Sequence, residues 1–402
     1  MILNCQYFFH EYIHFLQDIT TIYGLNLIYL RGEYINAVIN EIRQKEETRF
    51  VIPYSIDDNE TLKQQEEIYR ITLGDCGAFI KTLNINEIIR ESYELSTKSE
   101  SLSTIDVITL VANEDDYISF GAYAIKENIA YIMEKECSSH YVSSHDFPYR
   151  AAEIVAQKIY PEFAKNIHNI LALADCSLMF SNPAIVFVDM LYQMKSKEYI
   201  PFKPQDVYDQ LPFAKALMGD KMIPIFDCYD TVAREGIDKL KSYFNTGDSL
   251  LHEPYYKWID TVFDTAIKLR TIHPYFLLDI IHEGNLSKNN YFVEILDMLG
   301  TPMMRNMRKE YYSIKPLEHN GWNVEVMKSV QQMYNLLHNG EVACSLYPWC
   351  ESTQREHPDE ELNPSVESCI HKPWERCKEP QLCPLGLIWK NWGISEYIPI
   401  PR

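Results

Sequence analysis

The sequence predicts an α+β protein dominated by helices. It has an N-terminal metal-site domain with a small β-sheet, a large helical region and a small cysteine-rich C-terminal module. Three observations predict this. Apolar residues recur at three- and four-residue steps at the N-terminus and through the middle of the chain, as amphipathic helices require. Short β-branched and aromatic stretches are confined to the first third. Half of the ten cysteines (Cys344, Cys350, Cys369, Cys377 and Cys383) fall near the C-terminus, among Trp349, Trp374, Trp389 and Trp392. The boundaries fall at 1–146, 147–338 and 339–402.

From Cys5 to Thr20, residues Phe8, Phe9, Tyr12, Ile13, Phe15, Leu16 and Ile19 trace a helix that no Pro or Gly interrupts. Leu25–Ile42 reads as a second helix. Phe50–Tyr54 and Tyr69–Leu73 read as strands, and Asp106–Val111 with Tyr117–Phe120 as a hairpin around a polar tip. A helix then starts at Gly121. Further helices are expected at Arg150–Ile159, Asn166–Met179, Pro183–Met194, Val232–Tyr243 and Tyr255–Leu269, punctuated by prolines. Glu351–Glu367 is polar and reads as loop.

Composition narrows the function. With 46% hydrophobic residues the 402-residue chain has material for a sizeable core. Lys+Arg 37 against Asp+Glu 57 gives a net charge of −20, which repels phosphate backbones and argues against nucleic acid as a partner. The first residues lack a basic stretch and a small-residue cleavage site, and no apolar run approaches the ~20 residues that span a bilayer. A cytoplasmic protein without membrane contact is expected. The scattered Cys5, Cys76, Cys137, Cys176 and Cys228 read as core residues.

The chemistry concentrates in His10-Glu11-Tyr12-Ile13-His14. On a helix, residues four apart share one face, about 5–6 Å apart at Cβ. Two imidazoles so placed can aim one nitrogen each at a zinc ion, at ~2.0–2.1 Å. Glu11 leans toward the open coordination position, where it can accept a proton from water and return it to a leaving amine. The same residues also suit an ordinary amphipathic helix with two core or surface histidines. However, burying two His and a Glu together is costly without a metal or partners.

HEYIH on an uncharged helix resembles the zincin metallopeptidases, and the resemblance implies a zinc-dependent peptidase acting on a protein or peptide. In the gluzincin type the third zinc ligand is a Glu on a later helix, followed by a small residue one turn on. Glu127-Asn128-Ile129-Ala130 matches that pattern, with Ala130 allowing close packing on the motif helix. Glu127 also suits a solvated helix position; Glu33, Glu134 and Asp18 are weaker ligand candidates. No third His follows His14, as the metzincin type would need. The hairpin before the Glu127 helix offers an edge on which a peptide could lie. The resemblance also implies a transition-state stabiliser; His140, Tyr141, His145 and Tyr149 are candidates by position, and each also suits an ordinary loop. Zincins place sheet strands before the motif helix. Here only nine residues precede His10, so either the strands follow it or the fold is a permuted or minimal relative.

In the tail, Cys350, Cys369, Cys377 and Cys383, with Cys344 nearby, form a candidate second metal site for a structural zinc or an iron–sulfur cluster. No pair has C-x2-C spacing, and free thiols packed beside the tryptophans are the alternative. Two other functions stay open. Glu11 and His14 form the ExxH unit of helical di-iron carboxylate proteins. Alternatively, the chain is a non-catalytic interaction protein stabilised by metal. The large helical region suggests a surface for a regulatory protein partner.

Overall fold

A computed structural model of the chain describes residues 2–56, 59–96, 103–113, 116–138, 145–242, 249–302, 304–305, 311–316, 324–360, 362–379 and 383–402. It is 63% helix and 12% strand, the helix-dominated α+β class that the periodicity predicts. The N-terminal order is α1 (Ile2–Thr20), α2 (Ile22–Gln44), β1 (Arg49–Ile52), α3 (Glu60–Leu73), β2 (Ile85–Glu94), β3 (Thr104–Ala112), β4 (Asp116–Phe120), α4 (Ala122–Cys137) and α5 (Ala151–Ile159). Among the described residues, no helix is long and apolar enough to cross a membrane.

Contacts divide the chain into two units. The first comprises residues 1–28, 63–236 and 263–295, and the second 29–62, 237–262 and 296–402. These units cut across the three consecutive stretches that sequence character suggests.

In the first unit α1 packs along α4. Phe9, Ile13 and Leu16 on one helix and Ile125, Ile129, Ala130, Ile132 and Met133 on the other are fully buried. Phe9 also meets Phe292 edge-to-face, with centroids 4.9 Å apart. The sheet has the order β2-β3-β4, antiparallel throughout, with Thr109 opposite Ser119 in the β3–β4 hairpin. β4 leads directly into α4 through Gly121, whose lack of a Cβ is required: one added there would lie 2.4 Å from the backbone of Leu73.

Two sequence expectations need correction, and one strand has no counterpart among them. Tyr69–Leu73 is the end of helix α3, not a strand. Asn59 Oδ1 caps its start by accepting from the Leu62 amide at 3.0 Å, and Gly74, at φ +77°, closes its end. These end signals outweigh the β preference of Tyr69, Ile71 and Thr72. β2 was not expected as a strand, because its residues are mostly exposed and show no polar–apolar alternation. Within Glu351–Glu367, residues up to Glu356 belong to the helix Tyr347–Glu356. Its charged side chains are exposed and carry no buried stripe to reveal it.

A buried polar network anchors the C-terminal end of α1. Arg270 and Asp175, both fully buried, pair through two bonds of 2.7 and 2.9 Å. Arg270 Nε donates to the Thr20 carbonyl at 2.8 Å, and its remaining N–H groups reach Thr20 Oγ1 and the Pro274 carbonyl. Tyr208 donates its hydroxyl proton to Asp175 at 2.9 Å. All five guanidinium donors are thus satisfied, as a buried Arg needs.

In the second unit β1 pairs in parallel with the strand Ile398–Pro401, Arg49 opposite Ile398. Fully buried Trp389 stacks on Phe50, and Arg43 Nε donates to the Trp392 carbonyl at 2.6 Å. Trp374, Trp389 and Trp392 are therefore core residues of a unit built partly from residues near the N-terminus, while Trp349 is half-buried.

Candidate metal centre

The i,i+4 spacing on α1 places His10 and His14 on the face toward α4, and α4 presents Glu127. His10 Nε2 lies 3.2 Å from His14 Nε2 and 3.2 Å from Glu127 Oε2, and His14 Nε2 lies 3.5 Å from Glu127 Oε1. Among the described residues this is the one group of three or more His, Cys, Asp or Glu donors near enough together to hold a metal ion. A tetrahedral zinc with ~2.0–2.1 Å bonds needs donors about 3.3 Å apart, close to these three separations, which Glu127 makes through both of its oxygens. Two ring nitrogens and a carboxylate oxygen turned toward one point repel each other unless a cation or proton lies between them. The donor set therefore fits zinc in number, type and spacing.

The outer nitrogens are occupied. His10 Nδ1 lies 3.3 Å from Glu134 Oε2, and His14 Nδ1 lies 2.9 Å from Gln17 Oε1. Gln17, almost fully buried, donates in turn to the Lys126 carbonyl on α4 at 3.1 Å. Such partners fix ring orientation and leave each Nε2 to face the centre. Two further contacts hold α4 in register. Lys126 pairs with Asp18 at 2.6 Å, and buried Asn128 exchanges hydrogen bonds with Glu153 at the start of α5.

The electrostatics follow from this crowding. Burial alone would lower the His10 pKa, but hydrogen bonds to Glu127 and Glu134 and their charges push it up to about 9. Burial would raise Glu127, but its bonds to His10 and His14 hold it down at about 2. The side chains of His10, His14 and Glu127 are 14%, 19% and 14% exposed, so the centre is open to a small ion and to solvent.

Glu11 is exposed one residue beyond His10. Tyr149 stands beside the centre, its ring 6.3 Å from that of His10. Its pKa is raised by burial and by the charges of Glu127, Glu134 and Glu11, so its hydroxyl stays protonated. His145 packs instead against Phe79. His140 and Tyr141 lie outside the described residues. Of the weaker ligand candidates, Glu134 supports His10, Asp18 pairs with Lys126, and Glu33 pairs with Lys239. Sequence reasoning missed Tyr123, pushed up to about 12 by burial and Glu127, and Cys76, an exposed thiol that also feels Glu127 and not the core residue expected. Tyr123 lies one helical turn before Glu127 on α4, whereas only tertiary packing brings Cys76 near that carboxylate. The outer edge of β4 is occupied at Ser119, whose amide and carbonyl both bond to Asp75. A peptide strand cannot add at that position.

In the second unit, Cys344, Cys350, Cys369 and Cys383 line one cavity. Cys377 does not join them; its Sγ faces the Ser395 carbonyl at 3.9 Å. Burial pushes Cys344 and Cys350 up to about 12. Cys137, Cys176 and Cys228 are buried, and the side chain of Cys5 lies outside the described residues. Compared with known protein families, curated proteins and solved structures, the chain matches none.

Proposed function

We propose that the chain is a zinc-dependent peptidase of the cytoplasm that cleaves a peptide bond in a protein or peptide. The observation that carries this reading is the triangle of His10, His14 and Glu127 donors, sized for one tetrahedral zinc. Zinc bound there supplies a Lewis acid that polarises a carbonyl and acidifies water. Glu11, exposed beside His10, accepts the proton of the attacking water and delivers it to the leaving amine. Tyr149, protonated and next to His10, donates to the oxygen that gains charge in the transition state. The di-iron alternative needs Glu11 in the ligand set, whereas the donors that converge are those of His10, His14 and Glu127.

Elemental analysis tests the centre. Wild-type protein is expected to carry about one more zinc per chain than the His10→Ala/His14→Ala variant. Equal metal in both overturns the reading. Glu134→Gln should keep the metal count at saturating zinc but weaken affinity by about 10–100-fold, because the carboxylate that orients His10 is lost. Competition with a chromophoric chelator measures this.

A further inference from the structure

We infer that Cys344, Cys350, Cys369 and Cys383 bind an iron–sulfur cluster in the second unit. The four residues are far apart in sequence, yet their side chains line one cavity. Each of the six pairs of thiols is near enough to interact electrostatically. The backbone is tied around them: the Cys344 amide donates to the Cys369 carbonyl at 2.8 Å.

The separation of the sulfurs favours a cluster over a single ion. One tetrahedral zinc with ~2.3 Å bonds draws its thiolates to about 3.8 Å from one another. Among the described residues, no three of these sulfurs lie within 4.8 Å of one another. Four thiolates that enclose bridging iron and sulfide ions stand farther apart, because the cluster core lies between them.

The surroundings suit an anionic group. Arg376, 4% exposed, lines the cavity beside Cys383 and Cys369. Its Nη atoms are held by the Asn363 and Leu362 carbonyls and by Glu379, whose Oε2 lies 2.6 Å from Nη1. The guanidinium, held beside the cavity, favours the charged form of Cys350 and Cys369 and so their service as thiolate ligands. Cys383 caps the helix Pro384–Asn391, and its Sγ accepts from the Gly386 amide at 3.3 Å. Such N–H···S bonds at a helix N-terminus favour a ligating thiolate.

The test uses full-length protein, purified without oxygen and incubated with ferric and ferrous iron and sulfide. Iron, acid-labile sulfide and zinc are then counted per chain. Two to four irons with matching sulfide are expected in wild type and in Cys377→Ser, with a visible chromophore that a reductant bleaches. Cys344→Ser should lose most of both. A circular-dichroism spectrum matching wild type separates ligand loss from unfolding, and Cys383→Ser provides a second variant if Cys344→Ser does not fold. A zinc beyond the one removed by His10→Ala/His14→Ala, with no sulfide, overturns the cluster. So does the absence of any metal lost in Cys344→Ser. Iron lost in Cys377→Ser but kept in Cys344→Ser overturns the ligand set.

Discussion

Glu11→Gln is expected to keep its zinc and to lose peptide hydrolysis by at least about 10²-fold, and by up to about 10⁴-fold. Gln has the same shape as Glu and sits at an exposed position, so neither the α1 helix nor the two imidazoles need shift. The Glu127, Glu134 and Gln17 contacts that hold those imidazoles do not involve residue 11. What changes is proton chemistry alone, since an amide cannot take up the proton of the attacking water at neutral pH. Digestion of a peptide library, read by mass spectrometry beside a zinc count, checks both halves. Near wild-type cleavage would remove Glu11 from the mechanism. Loss of zinc would make Glu11 itself a ligand, as the di-iron alternative requires.

Arg270→Ala should destabilise the first unit by about 3–5 kcal/mol. The loss exceeds that of a surface pair because Asp175 would remain fully buried with its partner gone, keeping only the Tyr208 hydroxyl. The Thr20 carbonyl would also lose its donor at the end of α1. Arg270→Lys should recover little, because an ammonium cannot reproduce the two-pronged grip on Asp175 while also reaching Thr20 and Pro274. Urea unfolding followed by circular dichroism measures the change. A midpoint within error of wild type would mean that solvent or rearrangement takes over the role of Arg270.

Much of the centre was legible because helical spacing is a local property. Four residues on a helix place His10 and His14 together whatever the rest of the fold does. Glu127 could be named only because Glu127-Asn128-Ile129-Ala130 matches the third-ligand pattern that the zincin resemblance implies. Glu134 was named only as a spare ligand, because its role depends on the phase of α4 against α1, which no local pattern encodes. Tyr149 was one of four candidates chosen by position, and only packing brings it beside His10. In the tail, the cysteines could be counted but not grouped. Without short spacings, nothing in the sequence sets Cys344 inside the cavity and Cys377 outside it. Nor does local pattern reveal that Ile398–Pro401 pairs with β1, a contact set by tertiary packing alone.

Glu127 and Glu134 grip the two nitrogens of one imidazole from positions seven residues apart on α4. Seven residues fall about 20° short of two full turns, so both carboxylates meet the same ring. Adding or removing a single residue between them would swing Glu134 by about 100° around the helix and move it about 1.5 Å along the axis. The carboxylate would then leave His10 even if every other side chain were unchanged. This stretch of α4 therefore tolerates substitution far better than insertion or deletion, and changes in chain length have to fall in the loops on either side of the helix.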